Sequence, residues 1–508
     1  MLDVSYIMFA QWRTWALNYQ RPVVTQERGL LNIVHRAKDT RFGREHDFAS
    51  IGSVAEFQTR VPLRRYEDFW TEYWGDTFPI LENCTWPGTI PYFALTSGTT
   101  SGKTKNIPVT YEMLNENSQA VQDLLSFHIS WRPFSRVWRG KGLLLGGSTD
   151  LRELSTGIFC GDLSGIEANE ISWWAQPYVF PPRDLALVAD WEEKIDRIAR
   201  LSLKEDIRAI SGTPNWLLMY FERLMELRPA SDRRLVDFYP DLELIIHGGV
   251  NFKPYAERFS ELLQGSHAEL REVYAASEAF IALADRCPDQ GLRLIVDGGA
   301  FFEFIPVDEL DSPNPSRHWL GNLQSHIDYA VVLSTCAGLW SYIVGDTVKF
   351  IELDPPRLLI TGRTSYWLSA FGEHLMDAEI EDAVAFGASA IDRSVTDFCV
   401  APIYPSAAGK TGKHCYVVEF AEGSLDGTCC EEFIRSIDDR LQASNADYME
   451  HRKGGYGLHA PTVRTVARGK LAAWMKSRGM LGGQHKVPRV INDRDLFQSL
   501  MKFLSAGD

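Results

Sequence analysis

The stretch TSGTTSGKTKNIPVT, residues 96–110, contains the residues best suited to chemistry. Its glycines and hydroxyl side chains, followed by Lys103 and Lys105, can surround a phosphate with N–H groups, hydroxyls and positive charge. A Walker A loop has four residues between its first glycine and its Gly-Lys-Ser/Thr end. Only three residues separate Gly98 from Gly102, and the preceding WPGTIPYFAL contains two prolines where a long buried strand is required. We therefore expect a phosphate loop of another class, with the Walker A loop as the alternative.

The composition argues against several kinds of partner. With 52 basic and 67 acidic residues the net charge is −15, which disfavours nucleic acid. The 8 cysteines include no Cys-x-x-Cys pair, and no His-Glu-x-x-His motif occurs, so neither a disulfide scaffold nor a zinc site is expected. The chain has no apolar run of about eighteen residues and no basic leader. We therefore expect a cytoplasmic protein with no membrane partner.

The apolar pattern changes along the chain. Residues 1–75 have helical spacing, and from about Lys141 short apolar strands alternate with helices. The strand-rich part from LRLIVDGGAFFEFIPV to RLLITGR predicts an antiparallel meander, with turns at Cys336-Ala337-Gly338 and at Gly345-Asp346. Beyond Gly362 strands and helices mix again. The sequence therefore predicts a fold with α/β and α+β parts.

The same patterns predict two domains, because 508 residues exceed what one hydrophobic core usually supports. We expect a large N-terminal domain over residues 1–362, built from α/β sheets and a β-rich subdomain. A smaller α+β lobe is expected over residues 363–508.

Five separated motifs resemble the adenylate-forming superfamily, which includes acyl-CoA synthetases and luciferase. They are TSGTTSGKTK (96–105), VYAASEAF (273–280), YIVGDTVKF (342–350), ITGRTSYWLSAFGEHL (360–375) and GGQHKVPRV (482–490). The further details VPLRRYEDF, IHGGVNFKPY and the extra loop residue Ser101 are similar to the Gretchen Hagen family of acyl-acid amido synthetases, including its bacterial members. That resemblance covers the chain from about Gln11 to about Val490.

The resemblance implies an ATP-dependent ligase. Such an enzyme adenylates a carboxylic acid, releases pyrophosphate, and couples the acyl group to an amine, here expected to be an amino acid, with release of AMP. It implies ATP and Mg²⁺ as cofactors and no built-in carrier domain. One alternative passes the acyl group to CoA or to a separate carrier thiol. An alternative of another class is a nucleotide-binding protein without turnover.

The resemblance also assigns residues to ATP and AMP: Ser97, Gly98, Thr99, Thr100, Lys103, Gly248, Gly249, Val250, Tyr274, Ala275, Ser277, Asp346 and Arg363. Tyr274 is expected to stack on adenine and Asp346 to accept both ribose hydroxyls. The alternative for Asp346 is the cap of an Asx turn, and for Arg363 a surface ion pair.

Three further assignments follow from the resemblance. Glu278 is expected to face the Mg²⁺ that accompanies ATP, although a lone glutamate after a strand is usually a surface residue. Lys486 matches a late lysine that acts only while the acyl-adenylate forms, with a solvated lysine as the alternative. The lobe carrying it is expected to pivot near residues 362–366. Thr213 and Trp216 are the acyl-site candidates, beside two aromatic stretches, HISWRPFSRVWRGK and ISWWAQPYVFPP, that line a pocket or simply pack.

Overall fold

The computed structural model forms two compact units, the larger made of residues 1–96, 105–252 and 256–364 and the smaller chiefly of residues 365–508. The residues it describes are 2–96, 105–146, 151–186, 188, 191–227, 234–249, 252, 255–286, 290–310, 312–363, 367–373, 375–405, 411–421, 423, 425–453, 457–478 and 487–505.

The helices are α1 Leu2–Asn18, α2 Pro22–Ala37, α3 Arg41–Glu45, α4 Val54–Arg60, α5 Tyr66–Phe69, α6 Tyr111–Trp131, α7 Leu163–Asn169, α8 Arg183–Ala186, α9 Trp191–Ser202, α10 Pro214–Leu227, α11 Ala256–Leu262, α12 Asp377–Ala390, α13 Gly427–Ser444, α14 Ala446–Arg452, α15 Lys470–Ser477 and α16 Arg494–Ser505. Within the described ranges, none of these helices has the length and apolar character needed to cross a bilayer.

The strands are β1 Tyr92–Thr96, β2 Lys105–Val109, β3 Lys141–Leu145, β4 Arg152–Ser155, β5 Ile158–Gly161, β6 Val179–Phe180, β7 Ile207–Gly212, β8 Leu244–Gly248, β9 Glu269–Ala275, β10 Phe280–Leu283, β11 Leu292–Leu294, β12 Ala300–Pro306, β13 Asp328–Thr335, β14 Tyr342–Leu353, β15 Pro356–Arg363, β16 Trp367–Leu368, β17 Leu375–Met376, β18 Val395–Ile403, β19 Lys413–Phe420 and β20 Thr462–Val466.

One long sheet runs through the larger unit. Among the described residues it has 11 strands in the order β12-β13-β14-β15-β11-β10-β9-β8-β7-β3-β6. Strands β9, β8, β7, β3 and β6 are parallel, whereas the strands from β12 to β9 pair antiparallel. The predicted α/β alternation and the predicted antiparallel meander are therefore both confirmed, and β9 is the strand at which they join.

The phosphate-loop motif lies between two antiparallel strands. Strand β1 ends at Thr96 and β2 begins at Lys105, and these two residues pair in register. A Walker A loop instead leads from a strand into a helix. The flanking structure therefore excludes the Walker alternative, although residues 97–104 themselves lie outside the described residues.

The predicted turn at Gly345-Asp346 is wrong, whereas the one at Cys336-Ala337-Gly338 does connect β13 to β14. Gly345 and Asp346 lie inside β14, where the register shifts. Ala330 pairs with Thr347 and Val332 with Ile343, so extra residues of β14 bulge out of the ladder. Gly345 has φ +101°, which a bulge and a turn both require, and this explains the error.

The smaller unit is a sheet covered on both faces. Its strands have the order β18-β19-β20. Phe398 and Val400 pack on one face in a cluster with Phe433 of α13, and the alternate residue Cys399 packs on the other with Trp474 of α15. Successive side chains of a strand point to opposite faces, so β18 supplies two hydrophobic cores. This arrangement confirms the predicted α+β lobe.

A buried charge cluster holds α6 against the ends of β8 and β9 where these strands begin. The fully buried His128 of α6 has its Nδ1 3.0 Å from an oxygen of Glu269 and its Nε2 3.8 Å from an oxygen of Glu243. Burial favours the neutral ring, but the two carboxylates outweigh it and raise the pKa of His128. Burial would raise the pKa of both glutamates, yet the charge of His128 with the Ser135 hydrogen bond for Glu243, and hydrogen bonds from His128 and Arg271 for Glu269, hold each pKa at about 2.

We expect His128→Leu to lower the stability by about 2 kcal/mol, because it removes the hydrogen bond of His128 to Glu269 and the positive charge beside Glu243. Glu243 keeps its hydrogen bond from Ser135, and Glu269 keeps those from Arg271. A raised histidine pKa stabilises the fold below about pH 6.5 and loses this effect as pH rises through the folded value. The lowered glutamate pKa values stabilise above about pH 4.5 and lose this effect as pH falls toward 2. Urea unfolding should therefore reveal a larger deficit at pH 5.5 than at pH 9.

The control is His35→Leu, which changes an exposed histidine. This control substitution should lower the free energy of unfolding little at either pH. An equal deficit for His128→Leu at both pH values would contradict the assignment of a charged histidine to this cluster.

Candidate active site

The carboxyl ends of three neighbouring parallel strands meet at one edge of the long sheet. Gly212 of β7 pairs with His247 of β8, and Gly248 pairs with Val273 of β9. Thr213, Gly249 and Ala275 therefore lie at or just past the same edge, because parallel strands all end on one side. Ligands of open α/β sheets bind at this edge. The structure thus brings together candidates from three separate sequence motifs.

Two of these candidates must be glycine. A Cβ on Gly248 would lie 2.4 Å from the Val273 carbonyl oxygen. This oxygen is a backbone atom, so no change of side-chain rotamer could remove the clash. Gly249 has φ +82°, and a Cβ there would lie 3.3 Å from Cγ2 of Thr213. The strands therefore approach so closely that backbone, rather than side chains, forms the surface at this point.

Tyr274 and Asp346 form a hydrogen bond although their strands are far apart in the sheet. The Tyr274 hydroxyl donates to Asp346 Oδ2 at 2.7 Å, and both residues are buried. Three strands, β15, β11 and β10, separate β14 from β9. In a flat sheet four steps of about 4.8 Å would hold them roughly 19 Å apart. The sheet must therefore curl here, and the bulge at Asp346 turns its carboxylate toward Tyr274.

Glu278 lies just after β9 and is buried at 7 % exposure, so it is not the surface residue of the alternative interpretation. The Tyr342 phenol is an electrostatic neighbour of Glu278, and Glu67 is a second charged neighbour of the same phenol. Burial chiefly, and then the charges of Glu278 and Glu67, raise the pKa of Tyr342 well above its ordinary value. Tyr342 therefore stays protonated and can donate a hydrogen bond.

Sequence reasoning missed Tyr342 and Glu67 as site residues. Both lie inside motifs quoted for the family resemblance, YIVGDTVKF and VPLRRYEDF. Their position in the motifs could therefore have indicated that they belong to the site. Their proximity in space could not be seen in the sequence.

Lys105 directly follows residues 97–104 of the phosphate-loop motif and is the first residue of β2. Its side chain is 5 % exposed, and Nζ lies 5.4 Å from the centre of the Tyr66 ring. The Tyr66 hydroxyl in turn accepts a hydrogen bond from the N–H of Asn106 at 3.0 Å. The carboxyl end of the loop is thus fixed beside Tyr66 and the adjacent Glu67.

Several buried polar atoms around this edge find no hydrogen-bond partner among the described residues. They are Glu67 Oε1, Thr213 Oγ1, His247 Nδ1 and Tyr342 Oη. His247 is stacked on Phe252 at 3.9 Å, and burial lowers its pKa to about 4, so the ring is neutral. Unpaired buried polar atoms cost free energy. They fit a ligand that carries both donors and acceptors, as a nucleotide does.

The donor set also fits a magnesium ion carried by ATP. In the part of the chain that the structure describes, no group of three or more His, Cys, Asp or Glu could hold a metal ion. Mg²⁺ usually keeps several waters and binds through one or two carboxylates and substrate phosphates. Glu278, a buried carboxylate just past the end of β9, matches that pattern.

The remaining candidates are placed only in part. Ser97, Gly98, Thr99, Thr100, Lys103, Val250 and Lys486 lie outside the described residues. The backbone of Arg363 pairs with that of Asp346 in the β14–β15 ladder. Ser277 directly precedes Glu278, and the half-buried Trp216 lies near the beginning of α10. In the second aromatic stretch Trp173 is 82 % exposed and therefore does not pack in a core.

The fold is that of adenylate-forming enzymes. A solved structure of the acyl acid amido synthetase GH3.15 superposes with a TM-score of 0.59 at 18% identity, covering 97% of this chain and 95% of that one. A 2-hydroxyisobutyryl-CoA ligase in its thioesterification state superposes with a TM-score of 0.57 at 14% identity, covering 94% of this chain and 91% of that one.

The chain belongs to the GH3 family. The family models for the GH3 N-terminal domain match residues 17–166 and 148–268, for the central domain 293–363, and for the C-terminal domain 378–495. The indole-3-acetic acid-amido synthetase GH3.3 of Arabidopsis thaliana is 25% identical, covering 99% of this chain and 94% of its own length. The jasmonoyl–L-amino acid synthetase JAR4 of Nicotiana attenuata is 22% identical, covering 95% and 93%. The predicted family, GH3 or Gretchen Hagen, is confirmed.

We expect Tyr342→Phe to weaken ATP binding about tenfold or more while leaving the ligand-free protein nearly as stable as its parent. Among the described residues the hydroxyl has no partner within hydrogen-bonding geometry, so its removal should cost the fold little, whereas a hydrogen bond to a charged ligand contributes about 1.5–3 kcal/mol. Isothermal titration calorimetry with ATP and thermal unfolding measure the two effects.

Tyr416→Phe is the matched control, because its buried hydroxyl also lacks a partner among the described residues but lies in the core of the smaller unit. It should have the same effect on stability and no effect on ATP affinity. Unchanged ATP affinity in Tyr342→Phe would remove this residue from the nucleotide site.

Proposed function

We propose that this protein is an ATP-dependent acyl-acid amido synthetase. It adenylates a carboxylic acid with release of pyrophosphate and then transfers the acyl group to an amine, in our proposal that of an amino acid, with release of AMP. The observation that carries this proposal is the match of three GH3 family models, in order, along the chain. The orphaned polar atoms at the strand edge support it independently, because they suit a nucleotide.

Residues of the N-terminal domain, 1–362, supply the nucleotide site in this proposal. The loop of Ser97 to Lys103 surrounds the phosphates, and the backbone at Gly248 and Gly249 faces the base or sugar without side chains in the way. Asp346 accepts from the ribose, and the hydroxyl of Tyr274 holds that carboxylate in place through the bond of 2.7 Å. A carboxylate accepts at both oxygens, so one remains for ribose hydroxyls while the other accepts from Tyr274.

Glu278 would hold the Mg²⁺ that accompanies ATP. When bound, that ion neutralises charge on the phosphates. Tyr342 donates a hydrogen bond into the same space, and its raised pKa keeps it a donor at neutral pH.

Thr213 and Trp216 lie where the acid would enter, at the carboxyl end of β7 and the beginning of α10. The named relatives act on indole-3-acetic acid and jasmonate, and the GH3.15 structure binds 2,4-DB. We propose a small carboxylic acid of similar size, held by its apolar part against Trp216. A cytoplasmic location remains a prediction.

Residues 363–508 form the smaller domain in this proposal, with a pivot near residues 362–366. Lys486, on that domain, stabilises the charge that gathers as the carboxylate attacks the α-phosphate. The acyl-adenylate then reacts with the amine, and the nitrogen displaces AMP from the acyl carbon.

Pyrophosphate exchange tests the function. The purified protein with ATP and Mg²⁺ should exchange labelled pyrophosphate only in the presence of a suitable carboxylic acid, found by a screen of acids. Addition of amines with the best acid should then release AMP and form an amide without any thiol. A requirement for CoA or a carrier would establish the thiol-transfer alternative, and ATP binding without exchange would establish a non-catalytic protein.

Lys486→Ala should abolish carboxylate-dependent exchange and still convert a supplied acyl-adenylate and amine to amide and AMP. The lysine acts on the charge of the first step only, so the second half-reaction does not need it. Mass spectrometry of the amide measures the second half-reaction separately. Lys470→Ala, at the beginning of α15, is the control on the same unit and should retain both. Equal loss of both half-reactions in Lys486→Ala would reject this role.

A further inference from the structure

Helix α1 presents an apolar stripe to solvent. Val4, Met8, Trp12, Trp15 and Tyr19, the last just beyond the helix, are 61, 64, 58, 58 and 71 % exposed. Their spacing of four, four, three and four residues places them along one side of the helix. A monomeric protein rarely exposes so large an apolar patch without a use for it.

The opposite side of α1 is firmly attached to the larger unit. Ala10 and Leu17 are buried, and they belong to a cluster that includes Leu124 of α6. Arg13 donates two hydrogen bonds to Asp123, at 2.7 and 2.8 Å. The helix therefore cannot turn its stripe inward without breaking a part-buried ion pair and a packed core.

The stripe has little charge along its length. Between Val4 and Tyr19 the only charged residue is Arg13, and its guanidinium is paired with Asp123. The aromatic rings also contact one another along the helix, with Trp15 and Tyr19 at 5.0 Å between ring centres. A rigid aromatic surface binds with little loss of side-chain entropy. The partner surface must therefore be apolar and nearly uncharged as well.

We propose that the stripe of α1 is the interface of a homodimer, in which it packs antiparallel against the same stripe of a second copy about a two-fold axis. In that arrangement Val4 lies opposite Tyr19, Met8 opposite Trp15, and Trp12 beside its own copy. The register is symmetric about the middle of the stripe. An isologous contact of this kind needs only one self-complementary surface.

The exposed area is large enough for such an interface. Phe9, at the margin of the stripe, adds a further aromatic ring at 39 % exposure. At about 200 Å² for a whole aromatic side chain, the four exposed aromatic residues on this side of the helix offer roughly 450 Å². A standard interface buries about 800 Å² per partner, and Val4, Met8 and the polar rim account for the difference.

A lipid surface fits the stripe less well. Helices that lie on membranes carry lysines and arginines on their polar side, whereas α1 has only Arg13, which is already paired. The net charge of −15 also opposes approach to anionic lipid. The same net charge repels a second copy, and an interface without surplus acidic residues minimises that repulsion.

Sedimentation velocity over a range of protein concentrations tests the dimer. The parent should sediment at twice the chain mass of 57.5 kDa, and Trp12→Glu/Trp15→Glu as a monomer. Phe386→Glu, which places a charge at an exposed aromatic residue of α12 in the smaller unit, should remain dimeric. Circular dichroism and ATP binding equal to the parent would establish that the double variant is folded.

A second measurement does not depend on that variant. Trp12→Cys should form a disulfide between copies under mild oxidation, whereas Val4→Cys and the parent should not, because only the centre of the stripe meets itself. A monomeric parent at about 100 µM would overturn the proposal. Binding of the monomer to neutral phosphatidylcholine vesicles would overturn it in favour of lipid, and a dimer unchanged in Trp12→Glu/Trp15→Glu would place the interface elsewhere.

Discussion

The hydrogen bond between Tyr274 and Asp346 sets the shape on which the candidate site depends. It joins β9, the last parallel strand, to β14 of the antiparallel meander. Neither side chain is long enough to cross three intervening strands of a flat sheet, so the bond requires a curled one. A curled sheet brings the motif around Asp346 to the same edge as Gly248 and Glu278. The bond therefore shows that distant motifs meet at one edge of a curled sheet.

The sequence predicted the elements that depend on local pattern and failed where a contact between distant strands decides the structure. The helices of residues 1–75, the parallel strands and the strand-rich part follow from apolar periodicity, and the structure has them. The sequence predicts a turn at Gly345-Asp346 because glycine, which adopts positive φ readily, suits a turn and a bulge equally well. The choice between them depends on the pairing with β13, which is far away in the sequence.

The same limit explains the missed site residues. Tyr342 lies at the beginning of β14 and Glu67 on α5, and each looks like an ordinary residue of its own segment. Their significance is that buried atoms of both lack partners among the described residues and that Tyr342 is a neighbour of Glu278. An unpaired buried group is a property of the assembled structure. Both residues lie inside the family motifs. Only the packed structure, however, distinguishes them from neighbouring motif residues that simply fill the core.

The acceptor of the acyl group is not determined by the fold. A CoA ligase and an amido synthetase superpose on this chain with nearly the same TM-score, 0.57 and 0.59. One architecture therefore serves both a thiol and an amine acceptor. The shared step is activation of the acid, which needs phosphates, ribose and carboxylate held at one strand edge. The superposition therefore does not distinguish the two acceptors, and it is the family match along the sequence that favours an amine.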